Sequence, residues 1–179
     1  MRLFIAIEIP EDIKEYLTKI QEEIDINSNK IGFVKKEQIH LTLKFLGEVQ
    51  PNDIELIKEN LKKITFNKFS VQLNKVGVFP NKNYIRVIWI GLEPEQNILE
   101  LQKQIDESLK KLFKKDTNFK PHLTLARVKF INNKEEFIEK LKNINIENKK
   151  IEINNFKLIK STLTPTGPVY EDLDVFESS

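Results

Sequence analysis

The sequence contains no cysteine, and it is poor in glycine, with five residues, and in histidine, with two. The absence of cysteine excludes a disulfide scaffold, a thiol nucleophile and a zinc or iron–sulfur site held by thiolates. Long apolar runs are also absent, and the first residues lack the cleavage pattern of a secretory signal peptide. We therefore expect a cytoplasmic protein without a membrane partner.

The chain also lacks a large excess of charge of one sign, because 29 basic and 27 acidic residues leave a net charge of +2. This balance gives no reason to expect tight, non-specific binding to nucleic acid, although a basic groove is compatible with it. Hydrophobic residues make up 40% and charged residues 31% of the chain, which excludes wholesale disorder. No Pro/Gly/Ser-rich linker divides the chain, so we expect one domain over 1–179 and, by default, a monomer.

Apolar residues recur with two periods along the chain. Period two predicts strands at 3–9, 39–46, 69–78, 84–90, 122–130, 151–160 and 169–176. Helical spacing predicts four amphipathic helices, around 13–24, 54–64, 98–112 and 137–144. Several of the strands read as hairpins, so the pattern favours an α+β fold with antiparallel sheets and helices packed outside them.

Both histidines lie in the same tetrapeptide, His-Leu-Thr-Leu, which occurs at 40–43 and again at 122–125. Each copy falls in a predicted strand, where residues i and i+2 share a face. His40 therefore points the same way as Thr42, and His122 the same way as Thr124. The leucines point to the opposite face, into the core beneath the helices.

An imidazole beside a hydroxyl, presented twice, suits phosphodiester chemistry. An imidazole has an ordinary pKa near 6.5, so one histidine can act as general base while the other acts as general acid. The two Thr hydroxyls can donate hydrogen bonds to the phosphate oxygens as charge develops on them. This chemistry needs no metal and no cofactor.

The histidines also allow other interpretations. A single His on a strand is more often a packed or surface residue than a catalyst, but the repeat uses every histidine of the chain. A metal site would need Asp or Glu to complete its ligands, since two histidines without cysteine are too few. No Gly-rich nucleotide-binding motif is present.

At these residues the sequence resembles the 2H phosphoesterase superfamily, which is defined by two His-x-Thr/Ser motifs. More closely, it resembles the RNA 2′,3′-cyclic phosphodiesterase family, also called the 2′-5′ RNA ligase or LigT/ThpR-like family. The resemblance runs nearly end to end and is carried by the stretches 2–7, 40–47, 77–80, 86–89, 119–127 and 161–170.

The resemblance implies two similar lobes related by a pseudo-twofold axis, with one motif from each lobe facing a central groove. It also implies hydrolysis of an RNA 2′,3′-cyclic phosphate to a 2′-phosphate, in which His40 is the proton donor and His122 the proton acceptor. Thr42 and Thr124 would hold the phosphate. The partner would be an RNA with a cyclic phosphate end, for which fragments of transfer RNA are one candidate source.

Four further residues are candidates for substrate binding. The family offers a phosphate-binding arginine at Arg127 and a base contact at Phe45, yet strict alternation places both on the leucine face, so Arg127 needs a bulge to reach the groove. Phe4 is equally consistent with stacking on a base and with filling the core. Lys44 shares the face of His40 by alternation, where it would add positive potential or be solvated.

Two other functions stay open from the sequence. One is ATP-independent 2′-5′ ligation of a cyclic phosphate end to a 5′-hydroxyl, by the reverse type of step. The other, from a different class, is a non-catalytic module that binds RNA ends. Pure binding has no need of a proton donor and acceptor, which argues against the second.

Overall fold

The computed structural model describes residues 1–24, 26–27 and 29–179. The strands of this described part are β1 (Arg2–Glu8), β2 (Lys30–Phe33), β3 (His40–Glu48), β4 (Phe69–Asn81), β5 (Tyr84–Glu93), β6 (His122–Phe130), β7 (Lys150–Ile153), β8 (Asn155–Thr164) and β9 (Gly167–Glu177). The α-helices are α1 (Glu11–Glu22), α2 (Ile54–Lys62), α3 (Gln96–Leu109) and α4 (Lys134–Lys142). Within these ranges no helix is long and apolar enough to cross a membrane.

The strands form two antiparallel sheets, which confirms the predicted α+β class. The first sheet has the order β3-β1-β8-β9 and the second the order β2-β6-β5-β4-β7. The strand with the first motif, β3, pairs with β1, and the strand with the second, β6, pairs with β5. The series β3-β1-β8-β9 therefore corresponds to β6-β5-β4-β7, with β2 as an additional edge strand beside β6.

The two halves of the chain exchange strands between the sheets. Strand β2, which the alternation did not predict, belongs to the second sheet, whereas β8 and β9 from the end of the chain belong to the first. The predicted single strand at 151–160 is wrong, because the structure divides it into β7 and β8. These two strands pair with different partners, β4 and β1, so they lie in different sheets.

The helices bury one apolar face each against the sheets, as their spacing predicts. In α1, for example, Ile13, Leu17 and Ile20 are buried, and Pro10 precedes the helix with a fixed φ of −56°. Acidic Glu11 begins the helix, where a negative charge complements the helix dipole. The largest core cluster joins apolar residues of both sheets with those of α1, α2 and α3. One hydrophobic core thus holds the two sheets in a fixed relation.

Candidate active site

A large groove lies on the face of the sheets that presents the histidines and threonines of both motifs. Its volume is about 1360 Å³, and residues of both sheets line it. His40, Thr42, His122 and Thr124 all line this one cavity. A smaller cavity of about 480 Å³, beside β4, β5 and β7, is lined by neither histidine. The fold therefore brings both copies of the motif to one place.

The two motif strands repeat each other in burial as well as in sequence. Residue by residue, β3 and β6 show the same pattern of buried, half-buried and exposed positions over nine residues. The four motif leucines are at most 1% exposed, and the histidines and threonines are half-buried. Each leucine pair therefore anchors its strand in the core, and the alternation fixes the imidazole and hydroxyl on the groove side.

A β-bulge lies at the last residue of the motif in both strands. Ile5 pairs with Lys44 and Ala6 with Thr42, so Leu43 is an extra residue in β3. Leu125 is the extra residue in β6, between the pairs Ile88–Ala126 and Trp89–Thr124. One extra residue reverses the alternation beyond it, since the side-chain period of a strand is two.

The bulges correct two of the expectations from strict alternation. Phe45 does not lie in the core, because the bulge turns it outward; it is 73% exposed and lines the groove. Arg127 holds the equivalent position of β6 and also lines the groove. The bulge that the phosphate-binding interpretation of Arg127 required is therefore present.

Lys44 differs from the sequence expectation, because the bulge turns it away from the face of His40. It is 3% exposed, and its ammonium lies 2.6 Å from Asp106 Oδ1 and donates to the Lys114 carbonyl oxygen at 2.8 Å. Asp116 Oδ2 lies 3.5 Å away. Lys44 borders the groove, but its charge is neutralised, so it connects β3 to the groove wall that follows α3 instead of adding positive potential.

Both imidazoles are held by the same backbone contact. Nδ1 of His40 lies 3.0 Å from the carbonyl oxygen of Gln38, and Nδ1 of His122 lies 2.7 Å from that of Lys120. A carbonyl oxygen only accepts hydrogen bonds, so Nδ1 carries a proton in each ring. Nε2 is therefore the nitrogen left to accept or donate a proton in the groove.

Aromatic rings position the two imidazoles differently. The edge-on neighbours of His40 are Phe4 and Tyr170, at centroid distances of 6.1 and 5.2 Å. Those of His122 are Phe79 at 4.9 Å and Trp89 at 6.4 Å. Phe4 is 5% exposed and lines the groove, so it packs in the sheet and also borders the site.

The sequence interpretation named neither Tyr170 nor Phe79 as a site residue. Both line the groove beside a histidine. Both also lie in stretches that carry the family resemblance, 161–170 and 77–80. Membership of these stretches is the sequence signal that could have identified them as site residues. Alternation alone gives no indication of it, because the contact depends on which strands become neighbours.

The electrostatic surroundings of the two histidines are unequal. Burial lowers the pKa of both below the ordinary value of about 6.5, and the backbone carbonyl at Nδ1 opposes this in each. Beyond these causes, Lys14 disfavours the protonated form of His40, whereas the carboxylates of Glu8 and Asp172 favour it. Among the described residues, the charged neighbours that act on His122 are the cations Lys120 and Arg127, and both disfavour its protonation.

The same difference is visible in the strand pairing. Glu8 on β1 is the cross-strand partner of His40, whereas Gly91 on β5 is that of His122. Directly paired residues lie about 5 Å apart and share a face. At the cross-strand position, the pseudo-twofold arrangement thus places a carboxylate, itself paired with Lys157, beside His40 and no side chain beside His122.

Two antiparallel sheets, each presenting a His-x-Thr strand to a shared groove, define a phosphoesterase of the two-histidine class. The family model described as LigT like Phosphoesterase matches residues 7–89 and 90–170, one match for each copy of the motif. The chain belongs to this family, as the resemblance in the sequence predicts.

Curated relatives are similar over almost the whole chain. An RNA 2′,3′-cyclic phosphodiesterase of Methanocaldococcus jannaschii is 48% identical over 176 residues, which are 96% of this chain and 97% of that protein. A protein of the same name from Archaeoglobus fulgidus is 40% identical, covering 99% of this chain and 100% of the relative. A likeness of this extent includes both motif strands.

Solved structures share the fold. A crystal structure of a Thermus thermophilus protein has a TM-score of 0.81 at 28% identity and covers 99% of this chain and 97% of its own. E. coli LigT complexed with phosphate has a TM-score of 0.76 at 22% identity, with coverage of 99% and 97%. At 22% identity, the similarity to E. coli LigT supports the fold alone.

Proposed function

We propose that this protein hydrolyses the 2′,3′-cyclic phosphate at the end of an RNA strand and leaves a 2′-phosphate. The observation that carries the proposal is the pair of half-buried imidazoles in one groove, each with Nδ1 bound to the backbone and Nε2 left for the substrate. The name of the curated relatives, RNA 2′,3′-cyclic phosphodiesterase, supports the same activity. That name does not favour the 2′-5′ RNA ligase or the non-catalytic binding module as the main function.

In the proposed reaction, a water molecule attacks phosphorus while Nε2 of His122 takes its proton. The bond from phosphorus to the 3′ oxygen breaks, and Nε2 of His40 gives its proton to that oxygen. The products are a 2′-phosphomonoester and a free 3′-hydroxyl. The hydroxyls of Thr42 and Thr124 bond no other described residue and line the groove, so they are available to the phosphate oxygens.

The unequal surroundings of the histidines support these roles. A proton donor must start protonated. Burial and Lys14 disfavour that state at His40, whereas the carboxylates of Glu8 and Asp172 favour it, and His122 has no carboxylate among its charged neighbours in the described residues. A proton acceptor must start neutral, and the nearby cations Lys120 and Arg127 favour that state at His122. Two sites of similar geometry therefore differ in the direction in which a proton moves.

The exchange of strands between the sheets supports treating residues 1–179 as a single bilobal domain, since neither sheet is formed by one half of the chain. A monomeric state and a cytoplasmic location stay predictions from the sequence. Fragments of transfer RNA also stay a predicted source of substrate.

We expect protein treated with EDTA to open a nucleoside 2′,3′-cyclic phosphate to the 2′-monophosphate. Two imidazoles supply both proton transfers, and no group of three or more His, Asp or Glu side chains in the described ranges is placed to hold a metal. Phosphorus NMR identifies the product, and untreated protein with added Mg²⁺ is the control. A 3′-phosphate product contradicts the leaving group proposed here, and strict dependence on added metal contradicts the mechanism.

The pH dependence of kcat/KM is expected to be bell-shaped, with its maximum below pH 6.5. Activity rises as His122 loses its proton and falls as His40 loses its own, and the maximum lies midway between the two pKa values. Burial lowers both pKa values below 6.5. Initial rates at substrate concentrations far below KM, between about pH 4 and 9, give this profile for the free enzyme.

The same pKa shifts affect stability in a known direction. Because the folded pKa values are lowered, the unfolded chain takes up more protons below pH 6.5, and stability decreases as the pH falls through that range. Circular dichroism at each pH therefore accompanies the rates, to separate loss of fold from loss of protonation. A flat profile, or a maximum at neutral or alkaline pH with the fold intact, contradicts the assignment.

A further inference from the structure

The groove is larger than one nucleotide end requires. Its volume of about 1360 Å³ exceeds the roughly 300–1000 Å³ of pockets that enclose a small ligand. The histidines and threonines lie on β3 and β6, and the lining also includes residues of β1, β8 and β9. The remaining surface along β1, β8 and β9 is therefore available to other parts of the substrate.

One row of side chains crosses this remaining surface. Arg2 on β1 pairs with Ser161 on β8, and Ser161 pairs with Tyr170 on β9. All three line the groove, and neighbouring strands lie about 4.8 Å apart. Arg2 is four residues from Ala6, the partner of Thr42, so the backbone of Arg2 lies roughly 13 Å along β1 from the first motif. The ring of Tyr170, at the other end of the row, lies beside His40.

The arginines of the groove carry free positive charge. Among the residues that the structure describes, neither Arg2 nor Arg127 forms an ion pair or a side-chain hydrogen bond. The cross-strand partner of Arg2 is Glu48, but its carboxylate binds the N-terminal ammonium of Met1 at 2.9 Å. Both guanidinium groups are thus available to an anion from outside the protein.

Tyr170 lies in the same row as Arg2 and lines the same groove as Arg127. Burial raises the pKa of its hydroxyl, and Arg127 and Arg2 oppose this shift. The hydroxyl therefore stays a neutral donor, and it bonds no other described residue. Its ring packs 5.0 Å from that of Phe4 and 5.2 Å from that of His40, which fixes its place beside the site.

We infer that Arg2, Tyr170 and Arg127 form a second anion subsite, which binds the phosphodiester next to the cyclic end of an RNA strand. The inference rests on the proposed function for the identity of the substrate. A guanidinium group from each sheet and one hydroxyl donor match a phosphate that is singly charged and rich in acceptors. The substrate class is therefore an oligonucleotide with at least one internal phosphodiester, and a mononucleotide fills the groove only in part.

The test compares a nucleoside 2′,3′-cyclic phosphate with an RNA tetramer that ends in the same group. Arg2→Gln and Tyr170→Phe remove the charge and the hydroxyl while keeping much of each side chain. We expect the ratio of kcat/KM for the tetramer to that for the mononucleotide to fall about tenfold in Arg2→Gln and less in Tyr170→Phe. In Arg2→Gln, the slope of log kcat/KM for the tetramer against log salt concentration is expected to become less negative by roughly 0.7.

Lys103→Gln is the matched control, because it removes a positive charge from the exposed side of α3, away from the groove. We expect it to leave the ratio unchanged. Fluorescence anisotropy of a labelled tetramer ending in a 2′-phosphate measures binding without turnover, and Arg2→Gln is expected to weaken it about tenfold. Equal losses on both substrates, or unchanged affinity for the labelled tetramer, overturn the inference. Failure of the wild type to hydrolyse either substrate overturns the proposed function instead, and the anisotropy result still decides the subsite.

Discussion

His122→Ala is expected to lower kcat/KM for a 2′,3′-cyclic phosphate by about 10²–10⁴-fold, which is the contribution of one general acid–base group. This corresponds to about 2.7 to 5.4 kcal/mol of transition-state stabilisation. The loss is expected because Nε2 of His122 is the proposed acceptor of the water proton, and alanine leaves no base in its place. Steady-state rates on a nucleoside 2′,3′-cyclic phosphate measure the effect, and His40→Ala is expected to fall in the same range.

Asparagine at the same positions distinguishes catalysis from positioning. The amide of Asn can donate a hydrogen bond to the backbone carbonyl that Nδ1 of each histidine contacts, but it does not accept a proton near neutral pH. His122→Asn is therefore expected to be as inactive as His122→Ala. Recovery of most of the activity in the Asn variant contradicts a proton-transfer role for that residue.

The pH profiles of the two variants separate the roles of the histidines. Loss of the proton acceptor in His122→Ala is expected to remove the rise in activity on the acidic side of the bell. Loss of the donor in His40→Ala is expected to remove the fall on the alkaline side. The reverse result exchanges the roles of the two histidines, and unchanged limbs in both variants contradict the paired-imidazole mechanism.

Lys44→Met is expected to lower the free energy of unfolding by about 3 to 5 kcal/mol. The variant leaves the carboxylate of Asp106 buried without its counter-ion, since the side chain of Asp106 is only 6% exposed. Gln102 and the backbone amide of Asp116 still donate to Asp106, but neither carries a positive charge. Denaturant titration followed by circular dichroism gives the difference from the wild type.

The chain offers a matched control for this prediction. Lys110→Met breaks a pair with Glu107 in which both side chains are about half exposed, and we expect a much smaller loss because solvent screens such a pair. Adding Asp106→Leu to Lys44→Met removes the uncompensated charge and is expected to restore part of the lost stability. A Lys44→Met variant no less stable than Lys110→Met contradicts the account of a buried, uncompensated carboxylate.

The position of Lys44 also explains where reasoning from alternation failed. Alternation places Lys44 with His40 and Phe45 with the leucines, and both placements are wrong. The cause is the bulge at Leu43, which is defined only by the pairing of β3 with β1. A bulge of this kind has no reliable mark in one strand, because it depends on the register of a second strand far away in the chain.

The division of 151–160 into two strands has a similar cause. The residues alternate as one strand would, but β7 pairs with β4 and β8 with β1. Local sequence sets the tendency to be extended, while the choice of partner depends on which sheet edge each segment meets. Prediction of the four helices does not depend on a partner strand, because all the residues of each apolar face lie within one segment of the chain.

Residue order alone specifies the chemical groups of the site and the side of the strand on which they lie. Two His-Leu-Thr-Leu motifs place an imidazole and a hydroxyl above a buried leucine pair, because side-chain direction alternates within a single strand. The folded molecule was needed to show that both motifs face one groove, that Phe45 and Arg127 turn into it and Lys44 out of it, and that Glu8 lies beside just one histidine. Each of these features depends on pairing between strands that are remote in the chain, and the order of residues along one strand does not define that pairing.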